Sequence, residues 1–344
     1  MAGEIFGMLR VREPVSGGIF LSYRCTAECR HCMYACSPFW RDEWISVGDL
    51  ERVLSQLAGR IVESPLGPSM VGLNYGLHFT GGEPFLNFNL LLKAVELARD
   101  FHIPSVFAET NAYWCIEDGS TRSRLNHLKD AGLHGLLVSV NPFIVEWVPF
   151  ERVERAVRIG REVFGRNLIV YQDFFYHQLK GLGLRDTLSF ERYLGMVSLD
   201  ELHGRVELLP TGRAVYRLAG LYRKYPARFF FDECCREELS RGWHIHVDNY
   251  CNYITGYCGG ISIGDGRDVD SILEGVDLRD LPIIRSLLSS LGCLYMFAQK
   301  NYGYKEHASG YISKCHLCLD IRKHLSNISD DFKELKPKEF YHRL

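Results

Sequence analysis

Three cysteines near the start of the chain have a spacing that suits metal binding. The segment SYRCTAECRHC, residues 22–32, carries Cys25, Cys29 and Cys32 in a C-x3-C-x2-C pattern. Structural zinc sites usually pair C-x2-C with a second such pair or with histidines. A cubane iron–sulfur cluster held by three thiolates leaves one iron open for another ligand. The triplet therefore favours an iron–sulfur cluster, and zinc is the first alternative.

The composition indicates a globular protein of a reducing compartment. The chain has 344 residues, 47% of them hydrophobic and 24% charged, and a net charge of −2. This composition supports a sizeable core, and the small net charge gives no attraction to nucleic acid or to an anionic membrane. Residues 1–10 lack a signal-peptide pattern, and no run approaches the roughly 18 apolar residues of a membrane helix. We expect a cytoplasmic protein with no nucleic-acid or membrane partner, in which clustered cysteines hold metal rather than form disulfides.

Candidate strands alternate with amphipathic helical segments over the first two thirds of the chain. The predicted strands are 17–23, 71–80, 103–109, 133–140, 167–175 and 204–210. The predicted helices are 47–63, 88–101, 118–131, 149–164, 187–198 and 213–223. Six β/α repeats predict parallel strands joined by right-handed crossovers, and six are too few to close an eight-stranded barrel. The sequence therefore predicts an α/β fold built on an open, partial (β/α)6 barrel of the TIM type.

Polar segments follow most of these predicted strands. They are the cysteine loop, TGGEP at 80–84, ETNAYW at 109–114, SVNP at 139–142 and LLPTGRA at 208–214. Because the functional groups of such barrels lie at the carboxyl ends of the strands, we expect one pocket that faces the cysteine loop. Each segment alone is weak evidence, since GGEP can be a tight turn and SVNP a helix cap. Thr110 and Asn111 are candidates to line the pocket, whereas Tyr113 and Trp114 are expected in the core.

The cysteine motif followed by GGEP resembles the radical S-adenosylmethionine (radical SAM) superfamily, over about residues 17–220. The resemblance implies the same partial barrel. It also implies that Cys25, Cys29 and Cys32 hold a [4Fe–4S] cluster whose open iron is chelated by SAM. The residues whose positions match SAM-contacting positions of the family are Gly81, Gly82, Glu83, Pro84, Ser139, Asn141, Leu209, Arg213 and His31. For His31 a solvated loop histidine is an equal alternative.

A fourth cysteine of the same segment, Cys36, is excluded from this cluster. A fourth protein thiolate would occupy the iron that SAM needs. A buried thiol and a substrate-facing residue both remain open for Cys36.

The rest of the chain, from about residue 226, breaks the β/α rhythm and is rich in cysteine. Its cysteines are Cys234, Cys235, Cys251, Cys258, Cys293, Cys315 and Cys318. Residues 244–265 alternate like a hairpin, and residues 313–325 place a C-x2-C at the start of a helix. A C-x2-C with distant cysteines indicates a metal site, with zinc as a competitor. We therefore divide the chain into a barrel domain, 1–225, and a cysteine-rich domain, 226–344.

This tail is similar to the SPASM domain, in its shorter twitch form, that many radical SAM enzymes carry. The similarity implies one auxiliary [4Fe–4S] cluster, and the ligands chosen are Cys235, Cys258, Cys315 and Cys318. Cys235 is preferred to the adjacent Cys234, and Cys251 stays open as a substitute ligand or free thiol. Cys293, in an apolar segment, is expected in the core.

The resemblance also implies a reaction. An electron passed to the first cluster cleaves SAM to methionine and a 5′-deoxyadenosyl radical, which abstracts hydrogen from a substrate. We expect a flavodoxin or ferredoxin as reductant and an unidentified peptide, protein or small molecule as substrate, with the auxiliary cluster assisting oxidation or bond formation. The alternatives are a radical SAM methyltransferase or epimerase and, outside enzymes, an iron–sulfur electron carrier.

Overall fold

A computed structural model describes residues 7–206 and 208–344 of the chain. Its strands are β1 (Met8–Leu9), β2 (Ser16–Ser22), β3 (Gly76–Gly81), β4 (Phe107–Thr110), β5 (Gly135–Ser139), β6 (Leu168–Tyr171), β7 (Ile245–Val247), β8 (Tyr253–Ile254) and β9 (Val276–Asp277). Its helices are α1 (Val47–Leu57), α2 (Phe88–Asp100), α3 (Asp118–Ala131), α4 (Phe150–Phe164), α5 (Asp173–Gly181), α6 (Phe190–Leu194), α7 (Leu199–Arg205), α8 (Ala214–Arg217), α9 (Arg236–Ser240), α10 (Val269–Glu274), α11 (Pro282–Ser289), α12 (Leu291–Tyr302), α13 (Lys314–Ile328) and α14 (Glu339–His342).

The main sheet has seven strands in the order β6-β5-β4-β3-β2-β7-β8. In this order every pair of neighbouring strands up to β7 is parallel, and β8 runs antiparallel to β7. The sheet does not close on itself, because β6 and β8 are its two edges. This arrangement confirms the predicted α/β class and the open, partial barrel.

The helices that cover the sheet follow the predicted periodicity. Helix α2 buries Leu90, Leu91, Ala94, Val95, Leu97 and Ala98, which form one apolar face. It starts where the Asn87 side chain accepts a hydrogen bond from the backbone N–H of Leu90. No helix in the described part of the chain has the length and apolar character needed to span a membrane.

The prediction of a sixth barrel strand at 204–210 is wrong. Helix α7 extends to Arg205, and residues 206 and 208–210 belong to no strand. The Ser198 hydroxyl caps this helix by accepting from the N–H of Glu201, which favours a helical start over an extended chain. The described residues therefore add no further strand beside β6, and on the opposite side of the sheet β7, whose three residues are all buried, pairs with β2. The cysteine-rich tail therefore completes the sheet.

Three other predicted elements also need correction. The fifth predicted strand, 167–175, ends at Tyr171, and its aromatic second half starts helix α5 with Phe175 and Tyr176 buried. Short apolar runs do not distinguish a strand from a buried helix. The helices predicted at 187–198 and 213–223 are only short helices, α6 and α8.

The two glycines of the TGGEP segment let β3 approach the base of the cysteine loop. The Gly82 N–H donates to the Ser22 carbonyl at 2.8 Å, and the Glu83 N–H donates to the Arg24 carbonyl at 3.0 Å. A Cβ atom on Gly82 would lie 1.9 Å from the Arg24 carbonyl oxygen. Gly81 has a φ of 109°, and its Cβ would lie 2.4 Å from the Ser22 carbonyl oxygen. Close backbone packing thus requires both glycines.

We predict that Gly82→Ala destabilises the protein, because the added methyl group has only backbone to displace. Overpacking of this kind costs about 1–3 kcal/mol or more. The control is Gly119→Ala in the first turn of α3, where a Cβ meets nothing within 4 Å and the free energy of unfolding should rise by about 0.5–1 kcal/mol. Urea unfolding measures both. Equal stability of the two variants would contradict the packing account.

Candidate functional site: a cysteine-lined cavity at the strand ends

The carboxyl ends of β2 to β6 open into a cavity of about 740 Å³. The predicted site residues that line it are Cys25, Cys29, His31, Cys32, Gly81, Gly82, Ser139, Asn141 and Leu209. Thr110 and Asn111 line it as well. The fold therefore brings together the segments that follow separate strands, as predicted. Glu83, Pro84 and Arg213 are not among the lining residues, and the structure gives each of them another environment.

The cysteine loop lacks regular structure and is held by specific contacts. The Cys25 N–H donates to the Ser37 carbonyl at 3.1 Å, which closes the loop. The indole N–H of Trp40 donates to the Ala35 carbonyl at 2.9 Å, and the Trp40 ring stacks on Tyr23 with centroids 4.3 Å apart. These contacts fix both ends of the segment that carries the thiols.

Arg213 holds the loop from outside. Its side chain is only 1% exposed. The guanidinium donates to the carbonyl oxygens of Cys29 at 2.9 Å and Cys36 at 3.1 Å, and to that of Arg343 at 3.2 Å. Its backbone N–H donates to the Cys32 carbonyl at 3.0 Å. The structure thus places Arg213 behind the cysteine loop, where it positions the loop.

Glu83 joins the ends of β3 and β4 from a buried position. Its carboxylate accepts hydrogen bonds from the Asn111 N–H at 2.8 Å, the Phe85 N–H at 3.2 Å and the Thr110 hydroxyl at 2.9 Å. Burial raises the pKa of Glu83 to about 7, although these hydrogen bonds oppose the shift. Pro84 is the first residue of the short 3₁₀ helix that follows, and it is buried. That Glu83 and Pro84 help to bind SAM stays a prediction. Glu83 would do so indirectly, by positioning the backbone of Phe85 and Asn111.

Asn111 connects this carboxylate to the cysteine loop. Its side-chain N–H₂ group lies 3.7 Å from the Cys25 sulfur and donates to the Thr26 hydroxyl at 3.0 Å. An N–H directed at a thiolate stabilises its charge. Trp114 is buried and stacks on Phe85 with centroids 4.2 Å apart, as expected of a core residue, while Tyr113 is half-buried.

His31 and Asn141 form a pair on the opposite wall. The Asn141 side-chain N–H₂ group lies 3.1 Å from His31 Nε2, and its oxygen accepts from the N–H groups of Phe143 and Ile144. Asn141 is therefore both a turn cap and a lining residue. Burial lowers the pKa of His31 to about 4, so its imidazole is neutral. Its buried Nδ1 has no hydrogen-bond partner among the described residues.

Among the thiols of the first motif, Cys29 is buried, and Cys25 and Cys32 are half-buried. Burial raises the pKa of Cys25 to about 12, so a bound metal must replace the proton. Cys36 is buried and lies against this group, since its side chain contacts Cys32.

In the tail, the four predicted ligands gather around the start of α13. Burial raises the pKa of Cys315 to about 12, and the nearby Cys258 and Cys318 raise it further. Burial and the same neighbours also raise the pKa of Cys235. Cys315 lies in the first turn of α13, where the helix dipole favours a thiolate, and Cys318 follows at the start of the second turn. Four thiols from three segments thus share one polar site.

The remaining tail cysteines differ. Cys234 is exposed, in agreement with the preference for Cys235. Cys251 is buried among Asp49, Asp265 and Arg267, which are the charges nearest to it. Cys293 is exposed, with its backbone N–H and its sulfur both close to the Ser290 hydroxyl. The prediction of a core position for Cys293 is therefore wrong, because its apolar segment is an amphipathic helix and this residue lies on the outer face.

The sequence reasoning missed three histidines that line the same cavity. His78 lies in β3, His244 precedes β7 and His246 lies within it. One ring nitrogen from each lies within 4.8 Å of the other two. Burial lowers the pKa of His78 to about 3 and that of His244 to about 4, so the imidazoles are neutral. The H-x-H spacing of a strand, which places both side chains on one face, was the available signal.

No protein-family model and no curated protein matches the sequence. Similar solved structures include BtrN in complex with AdoMet and 2-DOIA, with 13% identity, coverage of 76% of this chain and 83% of that chain, and a TM-score of 0.41. Native anSMEcpe with bound AdoMet has 13% identity, coverage of 90% and 96%, and a TM-score of 0.42. Streptococcus suis SuiB bound to S-adenosylmethionine has 15% identity, coverage of 70% and 60%, and a TM-score of 0.36.

We predict that Arg213→Ala loosens the cysteine loop, because the Cys36 carbonyl loses its donor and the Cys29 carbonyl keeps only the N–H of Cys32. A buried group left unpaired costs about 1–3 kcal/mol, so the free energy of unfolding should fall by at least that amount. The amount of iron that the chain binds should fall as well. Arg217→Ala, an exposed arginine of the same region, is the control and should stay within about 0.5 kcal/mol. Equal stability and iron content in both variants would rule out this role.

Proposed function

We propose that this chain is a radical SAM enzyme. The observation that carries the proposal is that Cys25, Cys29 and Cys32 line one cavity with the glycine segment of the neighbouring strand. Ligand cavities of small cofactors have volumes of about 300–1,000 Å³, and the cavity here is about 740 Å³. Three thiols fit a [4Fe–4S] cluster with one open iron. When bound, the cluster and SAM supply the reductive cleavage that yields a 5′-deoxyadenosyl radical.

The protein's own groups bind and orient these cofactors. Cys25, Cys29 and Cys32 hold the cluster, and the side chain of Asn111 stabilises the Cys25 thiolate. The backbone of Gly81 and Gly82 lines the cavity and would receive the methionine part of SAM. Ser139 and Asn141 provide polar groups for the ribose or carboxylate. The neutral His31 offers its unpartnered Nδ1 to the adenine.

The tail is proposed to hold an auxiliary [4Fe–4S] cluster on Cys235, Cys258, Cys315 and Cys318. The gathering of these four thiols supports it. After hydrogen abstraction, the substrate radical would lose one electron and one proton to give the oxidised product, and a cluster held by these four thiols would supply the electron acceptor. We further propose a peptide or small-molecule substrate, a flavodoxin or ferredoxin reductant, and a cytoplasmic location, where thiols remain reduced.

Release of 5′-deoxyadenosine tests the first cluster. The wild-type chain, reduced anaerobically with SAM, should release it, and Cys32→Ala should not, because the cluster loses a ligand. Cys36→Ala should release 5′-deoxyadenosine at close to the wild-type rate, since Cys36 is excluded as a ligand. Chromatography of the products measures all three. An iron–sulfur carrier would release none, and equal loss in Cys36→Ala and Cys32→Ala would overturn the ligand assignment.

Iron content tests the auxiliary cluster. In a variant that lacks Cys25, Cys29 and Cys32, about four irons per chain should remain, with the EPR signal of a reduced [4Fe–4S] cluster. Further replacement of Cys258 or Cys318 by Ala should remove this iron. The same replacement of the exposed Cys293 is the matched control and should leave it in place. Zinc in place of iron, or iron lost equally in the control, would overturn the assignment.

A further inference from the structure

The three histidines of the cavity are arranged as metal ligands. The Nε2 atoms of His78 and His246 are 3.3 Å apart. Two imidazole nitrogens on a tetrahedral zinc ion, with Zn–N bonds of about 2.0–2.1 Å, are separated by about 3.3–3.4 Å. The ring of His244 completes the group, because its centroid is 5.1 Å from those of both other rings. Three neutral imidazoles around one point are a favourable set for a divalent transition metal.

The outer nitrogens of two of these rings have the partners that a metal ligand needs. The Nδ1–H of His244 donates to the Leu73 carbonyl at 3.0 Å, so its Nε2 must carry the free lone pair. The Nδ1 of His246 lies 2.9 Å from the Tyr34 hydroxyl. Partners of this kind fix the tautomer and the orientation of metal-binding histidines.

The backbone around the three histidines leaves space for their rings and adopts a strained conformation at one of them. A Cβ atom on Gly18 of β2 would lie 2.3 Å from His78 Nε2, so only glycine leaves room for this ring. His244 has a φ of 53°, in the left-handed region that non-glycine residues rarely adopt. Such conformations cost about 1–3 kcal/mol and concentrate at functional sites.

The charges beside the histidines also suit a cation. The Oε1 atom of Glu109 is 3.7 Å from His78 Nε2, and Oε2 accepts a hydrogen bond from Thr80 at 2.6 Å. Glu109 therefore supplies a carboxylate next to the site. The opposing charge is that of Arg241, which acts on His244 and His246 and whose guanidinium stacks on Tyr257.

We propose that His78, His244 and His246 bind a divalent metal ion, zinc by preference, whose fourth coordination position faces the cavity. This site goes beyond the proposed SAM chemistry and does not depend on it. Three histidines with one open position are the ligand set of catalytic rather than structural zinc sites. An ion there acts as a Lewis acid toward a carbonyl or carboxylate oxygen of the substrate, and so holds the substrate in the same cavity as SAM.

Metal analysis and zinc K-edge X-ray absorption of the anaerobically purified full chain test the site. After incubation with one equivalent of zinc and gel filtration, we expect about one zinc per chain, with nitrogen and oxygen neighbours at about 2.0–2.1 Å. A sulfur shell at about 2.3 Å would place the zinc on the cysteines and overturn the proposal, as would retention of no zinc. The iron content and 5′-deoxyadenosine release are separate measurements, so the two proposals fail independently.

Variants locate the ion. His246→Ala and His244→Gln should each weaken zinc binding more than about 100-fold in chelator competition, and Tyr34→Phe should weaken it about 10- to 100-fold. His134→Gln is the matched control, because His134 is a partly buried histidine outside the cavity that accepts from the Val106 N–H. Circular dichroism checks the fold of each variant. If replacement of the buried His246 unfolds the protein, the variant at the half-buried His244 tests the site. Unchanged zinc affinity in folded His244→Gln would overturn the site.

Discussion

The buried charge of Arg213 is the constraint on which the cysteine loop depends. A guanidinium is tolerated at 1% exposure only when its donors are taken and its charge is balanced. The Arg213 guanidinium donates hydrogen bonds to the carbonyls of Cys29 and Cys36. Both carbonyls belong to the segment that carries the thiols. A loop without helix or strand therefore gains a fixed shape from a residue far away in sequence. Cluster thiolates in front of this cation would add to the balance of charge.

Strand β2 joins the two halves of the molecule. It pairs with β3 on one side and with β7, from the cysteine-rich tail, on the other. The cavity is consequently lined from both sides, by the cysteine loop and glycine segment and by His244, His246 and Tyr257. Tyr23, at the end of β2, donates to Asp248 of the tail at 3.0 Å. Changes in the tail should therefore be felt in the cavity, because one sheet carries both.

Burial governs the electrostatics of this region. Burial raises the pKa of Glu83 to about 7 and keeps His31 and His78 uncharged. In such a low-dielectric environment each hydrogen bond and each bound cation has a stronger effect than in water. Such a site would shield the proposed radical from water, and its imidazoles are in the neutral form that binds metal. The two proposals thus draw on the same physical property of the cavity.

The sequence by itself determined the elements whose signal is local. The spacing of Cys25, Cys29 and Cys32, the glycine pair after β3 and the apolar periodicity of α2 need no knowledge of distant residues. Alternation of strands and helices was sufficient to predict the open parallel sheet, because crossovers of this kind permit few topologies. The polar strand ends predicted a common pocket for the same reason.

Tertiary structure decided the rest, because the deciding contacts join residues far apart in the chain. The addition of β7 beside β2 depends on contacts between segments far apart in the chain, and neither segment by itself contains that information. The place of Arg213 behind the loop, and of Glu83 between β3 and β4, follows from partners in other elements. The exposed position of Cys293 depends on which face of its helix packs inward. His78 and His246 are 168 positions apart in sequence, and only the parallel order β3-β2-β7 brings their rings together.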